Sequence, residues 1–323
     1  MRSVLRIVAA VVGVLAVVWL ALAWALRQPN FGSEAFPGSE HADAARLESH
    51  VRFLAAPEHP RDWRHPAELE RAASYIENAM RASGATVSRQ PYRAGPLDAT
   101  NVVASFGPAG DAAIVVGAHY DVCGALPGAD DNASGVAGLL ELARLLGRHP
   151  PKAPIVLVAY STEEPPYFGG EEMGSAVHAV SIARSGARLR AMISLEMIGL
   201  FTAEQPSAGS LLHLLYPSDG RFVALAGRWR DRSVVRRAKR CFRGATDLSA
   251  VSYSGPIGPG IDLSDQRNYW AQGFPAIMVT DTGPIRNLNY HTATDTADSL
   301  DYRRMAGVVD GVFSTVVHLA ERP

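Results

Sequence analysis

The sequence predicts one α/β domain, a mixed and largely parallel central sheet flanked by helices, preceded by an N-terminal transmembrane helix. Three observations predict it. Short apolar runs of strand length alternate with amphipathic stretches at helical spacing. Two of those runs, Ala113–Gly117 (AIVVG) and Pro154–Tyr160 (PIVLVAY), lead directly into polar clusters, as strands do when they carry side chains to the ligand-binding rim of an open sheet. The first 27 residues hold a long apolar run bounded by arginines.

That first segment sets topology. Arg2 and Arg6 precede the run Ile7–Leu26, Trp19 and Trp24 lie towards its far end, and Arg27 closes it. About 20 residues at 1.5 Å each span the roughly 30 Å hydrocarbon core of a bilayer. With the early arginines on the cytoplasmic side, everything beyond Arg27 faces outward. Ala21-Leu22-Ala23 and Ala23-Trp24-Ala25 have the small-x-small spacing of a cleaved signal peptide, in which case the domain is secreted or periplasmic. The length of the run favours a retained single-pass anchor. Residues 28–40, rich in Pro, Gly and Ser, are expected to be a linker, and 41–323 the folded domain.

Within the domain the spacing predicts helices over 41–54, 67–83, 134–146, 171–185, 218–232, 264–272 and 302–319. Strands are predicted over 86–92, 101–106, 113–117, 154–160, 188–198 and 275–280. With 31 basic and 32 acidic side chains the charges nearly cancel, which gives no sign of a nucleic-acid partner. The arginine-dense stretch Arg228–Arg243 could touch anionic lipid or nucleic acid, but a solvated helix face is the expectation. Gly255-Pro256-Ile257-Gly258-Pro259-Gly260 lacks the amide donors of a phosphate loop and is expected to be a rigid turn. No Gly-x-Ser-x-Gly elbow is present, which weighs against a serine hydrolase. Cys123 and Cys241 can be paired or free, and Cys123 is not counted as a metal ligand.

Chemistry concentrates in five separated clusters. His119-Tyr120-Asp121 places a histidine and an acid on one face of a strand end, so that one can ligate a metal while the other orients it. Alone, such a triplet is more often a surface pair. Asp130-Asp131-Asn132-Ala133-Ser134-Gly135 opens a helix with one more acid than capping requires. Glu163-Glu164 ends an apolar strand, and neighbours on a strand point opposite ways, which suits one ligand and one proton carrier. Glu196 interrupts a buried strand, where a carboxylate is costly unless paired or metal-bound. Tyr290-His291-Thr292 follows the last predicted strand and supplies a second histidine.

In that order, His119-x-Asp121, Asp131-Asn132-Ala133-Ser134-Gly135, Glu163-Glu164, Glu196-Met197-Ile198-Gly199 and Tyr290-His291-Thr292 resemble the M28 family of zinc metallopeptidases, from about Asn101 onward. The resemblance implies a zinc exopeptidase-like fold and two zinc ions per chain. His119, Asp131 and Glu196 would hold one ion; Asp131, Glu164 and His291 would hold the other. Asp131 is assigned the bridge because it fits the family's Asp-x-x-Ser-Gly frame. Glu163 would be general base and acid, Asp121 would orient His119, and Tyr290 would hydrogen-bond the developing oxyanion. Ser264-Asp265 resembles a further family element, but Gln266 stands where relatives have His. The implied reaction is hydrolysis of a peptide bond, first of all by an aminopeptidase. The alternatives are a carboxypeptidase or amidohydrolase on the same site, and a single-zinc transferase of the glutaminyl-cyclase kind. Paired divalent cations activate water and polarise a carbonyl, which fits this residue set.

Overall fold

The computed structural model describes residues 1–110, 112–206, 215–258 and 260–321; Pro259 of the proline-rich turn lies outside them. Helix α1 (Arg2–Arg27) is long and apolar enough to cross a membrane, and Leu26 is its one buried residue. Residues 28–40 then run across the domain surface. Asn30 donates to the Arg236 carbonyl at 2.8 Å and Glu34 pairs with Arg240. Helix α2 (Ala44–Leu54) starts where Asp43 accepts from the Ala45 amide at 2.8 Å, as an N-cap does. Helix α3 (Pro66–Ala82) opens on a proline, which needs no amide partner there, and buries Leu69, Ala72, Ala73, Ile76 and Met80 along one stripe.

Eight strands form one sheet in the order β1-β2-β4-β3-β5-β8-β6-β7. They are β1 (Thr86–Ala94), β2 (Leu97–Phe106), β3 (Ala112–His119), β4 (Ile155–Tyr160), β5 (Arg188–Glu196), β6 (Phe222–Arg228), β7 (Ser249–Gly255) and β8 (Ala276–Thr280). The central four, β4, β3, β5 and β8, are mutually parallel. At one edge β2 joins β4 antiparallel; at the other, β6 joins β8 antiparallel and β7 follows β6. The carboxyl ends of four adjacent strands therefore share one rim, where ligands collect in open α/β sheets.

Side chains alternate across each strand and feed two cores. On one face Ile114, Val116, Leu157, Ile193 and Val279 pack with α4 (Gly135–Arg148) and α8 (Tyr302–Glu321). On the other, Val115, Val158, Tyr160 and Met192 pack with Ala179 of α5 (Gly174–Ser185) and with Tyr269 and Trp270 of α7 (Gln266–Ala271). Helix α4 is apolar nearly all round because α2, α3 and α8 cover the side that the sheet does not.

The helix expected over 218–232 is not formed. Phe222–Arg228 is strand β6, the helix comes later as α6 (Arg232–Ala245), and β7 follows it. The run FVALAGR is buried on both faces between β8 and β7, and a short run of that kind has no period to separate strand from helix. Cys123 and Cys241 are both free thiols.

Candidate active site

His119 is the last residue of β3, so the strand delivers its ring to the rim, 1 % exposed. Its Nε2 lies 3.4 Å from Asp131 Oδ1, 3.4 Å from Glu196 Oε2 and 4.0 Å from Glu163 Oε2, while Nδ1 lies 3.5 Å from Asp121 Oδ1. These separations are long for hydrogen bonds. Among the described residues neither ring nitrogen has a hydrogen-bond partner. Burial alone would push the imidazole pKa down, but the carboxylates of Glu163 and Glu196 raise it well above the usual value.

Asp131 sits in the turn Ala129–Ser134 between β3 and α4. Gly128 begins that turn at φ 55°, and a Cβ there would lie 2.3 Å from the Asp131 carbonyl, so both conformation and space require glycine. Asn132 caps α4: its Oδ1 accepts from the Gly135 and Met197 amides at 3.1 Å each, tying the turn to the end of β5. Ser134 does not cap; its hydroxyl donates to the Asp130 carbonyl at 2.7 Å. The two oxygens of Asp131 face different histidines, Oδ1 towards His119 and Oδ2 towards His291 Nε2 at 3.0 Å. Burial favours the protonated form, yet the two imidazoles hold the carboxyl below the usual range.

His291 also lies 3.2 Å from Glu164. Burial opposes its charge, but Asp131 and Glu164 lift the imidazole to about 10. Burial and the neighbouring Asp131 carboxylate push Glu164 up to about 8. Glu196 ends β5 and accepts from the Ser264 hydroxyl at 2.7 Å. Asp265, next to Ser264, is buried and lifted to about 7 by that burial. Glu163 is 5 % exposed, and burial together with Glu164 and Glu196 raises its proton affinity well above normal. Tyr290 stacks on the His291 ring at 3.7 Å between centroids, and burial and the nearby carboxylates raise its phenol pKa.

All eight residues singled out from the sequence thus gather at one rim. Asp121 does more than face His119: its carboxylate accepts from the Glu163 and Glu164 amides at 3.1 and 3.0 Å, fixing the turn that carries both glutamates. Three supports were not legible in the sequence. Asp295 accepts from the Asp130 and Asp131 amides, and Asp130 accepts from the Gly199 amide at 3.0 Å. Arg61, 1 % exposed, donates to the Tyr120, Pro127 and Gly128 carbonyls and holds the intervening loop. These contacts are made to backbone far away in sequence, so spacing carries no trace of them.

The donor set suits divalent metal. Five buried carboxylates against two histidines leave negative charge that the surrounding protein does not neutralise, and a buried charge needs a partner. The orphaned ring nitrogens of His119 point into that cluster. Potential ligand atoms of His119, Asp131 and Glu196 lie within 4.8 Å of one another, as do those of His119, Glu163 and Glu164, and of Cys123, Glu164 and His291. The last group brings the Cys123 thiol within range of the same centre. A shallow depression lined by Val122, Cys123, Leu126, Asp131 and His291 opens beside it.

Known proteins resemble this chain in sequence and in fold. The profile of Peptidase family M28 matches residues 101–316. Uncharacterized protein YfbL of Escherichia coli (strain K12) is 46% identical over 288 residues, 85% of this chain and 88% of that protein. A probable zinc metalloprotease of Pyrenophora teres f. teres (strain 0-1) is 37% identical over 119 residues, 34% of this chain and 24% of its own. Among solved structures, an aminopeptidase from Aneurinibacillus sp. strain AM-1 superposes with TM-score 0.67 at 18% identity, covering 88% of this chain and 95% of its own. A Bacteroides thetaiotaomicron glutaminyl cyclase bound to N-acetylhistamine superposes with TM-score 0.66 at 19% identity, covering 86% and 98%. At those identities the structures speak for the fold. The profile match, reaching from β2 to α8 through every cluster described above, settles the class: this chain belongs to peptidase family M28, a family of zinc metallopeptidases, and is a hydrolase of peptide bonds.

Proposed function

We propose that the chain is a zinc-dependent exopeptidase, an aminopeptidase, built around two zinc ions that share Asp131. His119, Asp131 and Glu196 would hold one ion, and Asp131, Glu164 and His291 would hold the other. The observation that carries this reading is the pair of histidines on opposite oxygens of one carboxylate, at 3.4 and 3.0 Å. When bound, the paired ions supply Lewis acidity: they lower the pKa of water and polarise the scissile carbonyl.

The chain's own residues do the rest. Glu163 stays outside both ligand sets. Its burial beside Glu164 and Glu196 raises its proton affinity, which suits a carboxylate that takes a proton from the attacking water and passes it to the leaving amine. Asp121 positions His119 and, through the Glu163 and Glu164 amides, the proton carrier as well. Burial, and then the surrounding carboxylates, raise the Tyr290 phenol still further above neutrality, so its hydroxyl is available to donate to the developing oxyanion. We further propose that α1 is retained as a single-pass anchor, with the catalytic domain outside the cytoplasm.

Assays on peptides with free and blocked N-termini, free and blocked C-termini, and N-terminal glutamine decide the substrate class. Cleavage confined to free N-termini is the expected result. Cleavage confined to free C-termini would make the chain a carboxypeptidase. Release of pyroglutamate without peptide cleavage would make it a cyclase, the reading to which the glutaminyl cyclase neighbour gives weight.

A further inference from the structure

We propose that the rim of the sheet opposite the active site rests on the bilayer, with its exposed arginines on anionic lipid headgroups, so that the catalytic mouth opens away from the membrane. This rests on the reading of α1 as a retained anchor and is independent of the reaction at the zinc site.

The strand directions supply the geometry. The catalytic rim is the carboxyl end of β3, β4, β5 and β8, but β6 and β7 run the other way: Gly227 pairs with Ile277 at the start of β8, and Ala224 with Thr280 at its end. The carboxyl ends of β6 and β7 therefore lie at the opposite rim, and that is where the anchor arrives. A Cβ on Gly255, the last residue of β7, would sit 2.9 Å from Leu26 Cδ2. One residue on, the Arg27 carbonyl accepts from the Ser252 hydroxyl at 2.5 Å and from Lys239 Nζ at 3.0 Å. The chain thus enters β7 from beyond its carboxyl end and moves inward along it.

The junction is pinned. Asn30 donates to the Arg236 carbonyl, Arg243 Nη1 donates to the Asn30 and Gly32 carbonyls at 2.9 Å each, and Glu34 pairs with Arg240 and Arg237. With Arg27, four attached positions between residues 27 and 34 leave no slack for the domain to swing on a loose tether, so the rim nearest the anchor is held towards the membrane plane.

That rim carries the matching chemistry. Arg184 and Arg188, between the end of α5 and the start of β5, and Arg230 and Arg232, after β6, are exposed. None of the four forms an ion pair among the described residues. Trp229 and Ile257, following the paired carboxyl ends of β6 and β7, are 38% and 55% exposed. A tryptophan among arginines next to a membrane helix is the composition of a headgroup-level surface. A catalytic mouth turned outward receives the ends of peptides from solution rather than from within the bilayer.

The test uses the full chain in lipid nanodiscs, in a Cys123→Ser background, with one thiol introduced by Ser185→Cys at the proposed lipid-facing rim or by Leu288→Cys beside His291. Each is labelled with a fluorophore and exposed to phospholipid carrying a nitroxide quencher on its headgroup. With phosphatidylglycerol present, the Ser185 label should be strongly quenched and the Leu288 label scarcely. Adding Arg184→Glu and Arg188→Glu, or replacing phosphatidylglycerol by phosphatidylcholine, should at least roughly halve the Ser185 quenching. Equal quenching of both labels, or stronger quenching at Leu288, overturns the orientation. Ser185 quenching indifferent to both charge changes overturns the headgroup contact. Mass spectrometry of the protein in the disc reports whether residues 2–27 are still attached, which separates failure of the anchor reading from failure of this one.

Discussion

Among the buried carboxylates of this domain, two groups around the active site are treated in opposite ways. Asp121, Asp281 and Asp295 are satisfied by main-chain donors: Asp281 takes the Leu200 and Gly283 amides at 2.8 and 2.9 Å, Asp121 the Glu163 and Glu164 amides, and Asp295 the Asp130 and Asp131 amides. Asp130 accepts from the Gly199 amide and from the Asn287 side chain. Asp131, Glu163 and Glu164 face imidazoles and one another instead. Glu196 stands between the sets, with one serine hydroxyl and a long contact to Asn132 Nδ2 at 3.4 Å. A buried carboxylate held by backbone amides is architecture. One left to other acids is tolerable only if cations arrive. The contrast separates the frame of the site from its working groups without reference to any relative.

Breaking a working group should cost far more than loosening the frame. Glu163→Gln keeps the shape and removes the proton carrier, so turnover should fall by roughly 10²–10⁴ while zinc content is unchanged; near-normal turnover would return Glu163 to the frame. Asp295→Asn halves the acceptor capacity that holds the Asp130 and Asp131 amides. Zinc affinity should then weaken by about tenfold, with turnover largely recovered at saturating zinc. Loss of turnover that saturating zinc does not restore would make Asp295 a working group.

The smallest effect lies away from the site. His178 of α5 is buried with its Nδ1 2.6 Å from the Tyr269 hydroxyl, and burial lowers its pKa to about 4. The unfolded chain takes up that proton near pH 6.5, so folding stability should decline as pH falls through that value and on towards 4. Between pH 7 and 5.5 the contribution is roughly 1.2 kcal/mol. Urea unfolding of the metal-free protein should show His178→Gln declining less steeply over that interval; parallel curves would rule the linkage out.

The same contrast explains what the sequence could and could not reveal. Three working groups were legible because they end a strand or open a helix: His119 closes β3, Glu196 closes β5 and Asp131 precedes α4. Glu163 and Glu164 lie in the loop beyond Tyr160, the last residue of β4, and His291 in a turn, so they stood out only as polar clusters after apolar runs. Of the frame, only Asp121 was singled out, through its place beside His119. Asp295 acts through the distant Asp130 and Asp131 amides and Asp281 through the distant Leu200 amide as well as nearby Gly283, and nothing near either marks it as different from an acid in water. The β6–α6–β7 arm was misplaced because FVALAGR is apolar without period, while the arginine run behind it is the start of the real helix.

Metal stoichiometry tests the central claim most directly. Elemental analysis of the active, zinc-loaded protein should give two ions per chain, and Asp131→Asn, which weakens both sites at once, should lose both together with activity. One ion per chain in fully active protein, or an Asp131→Asn variant that still holds two, would contradict the shared-carboxylate site.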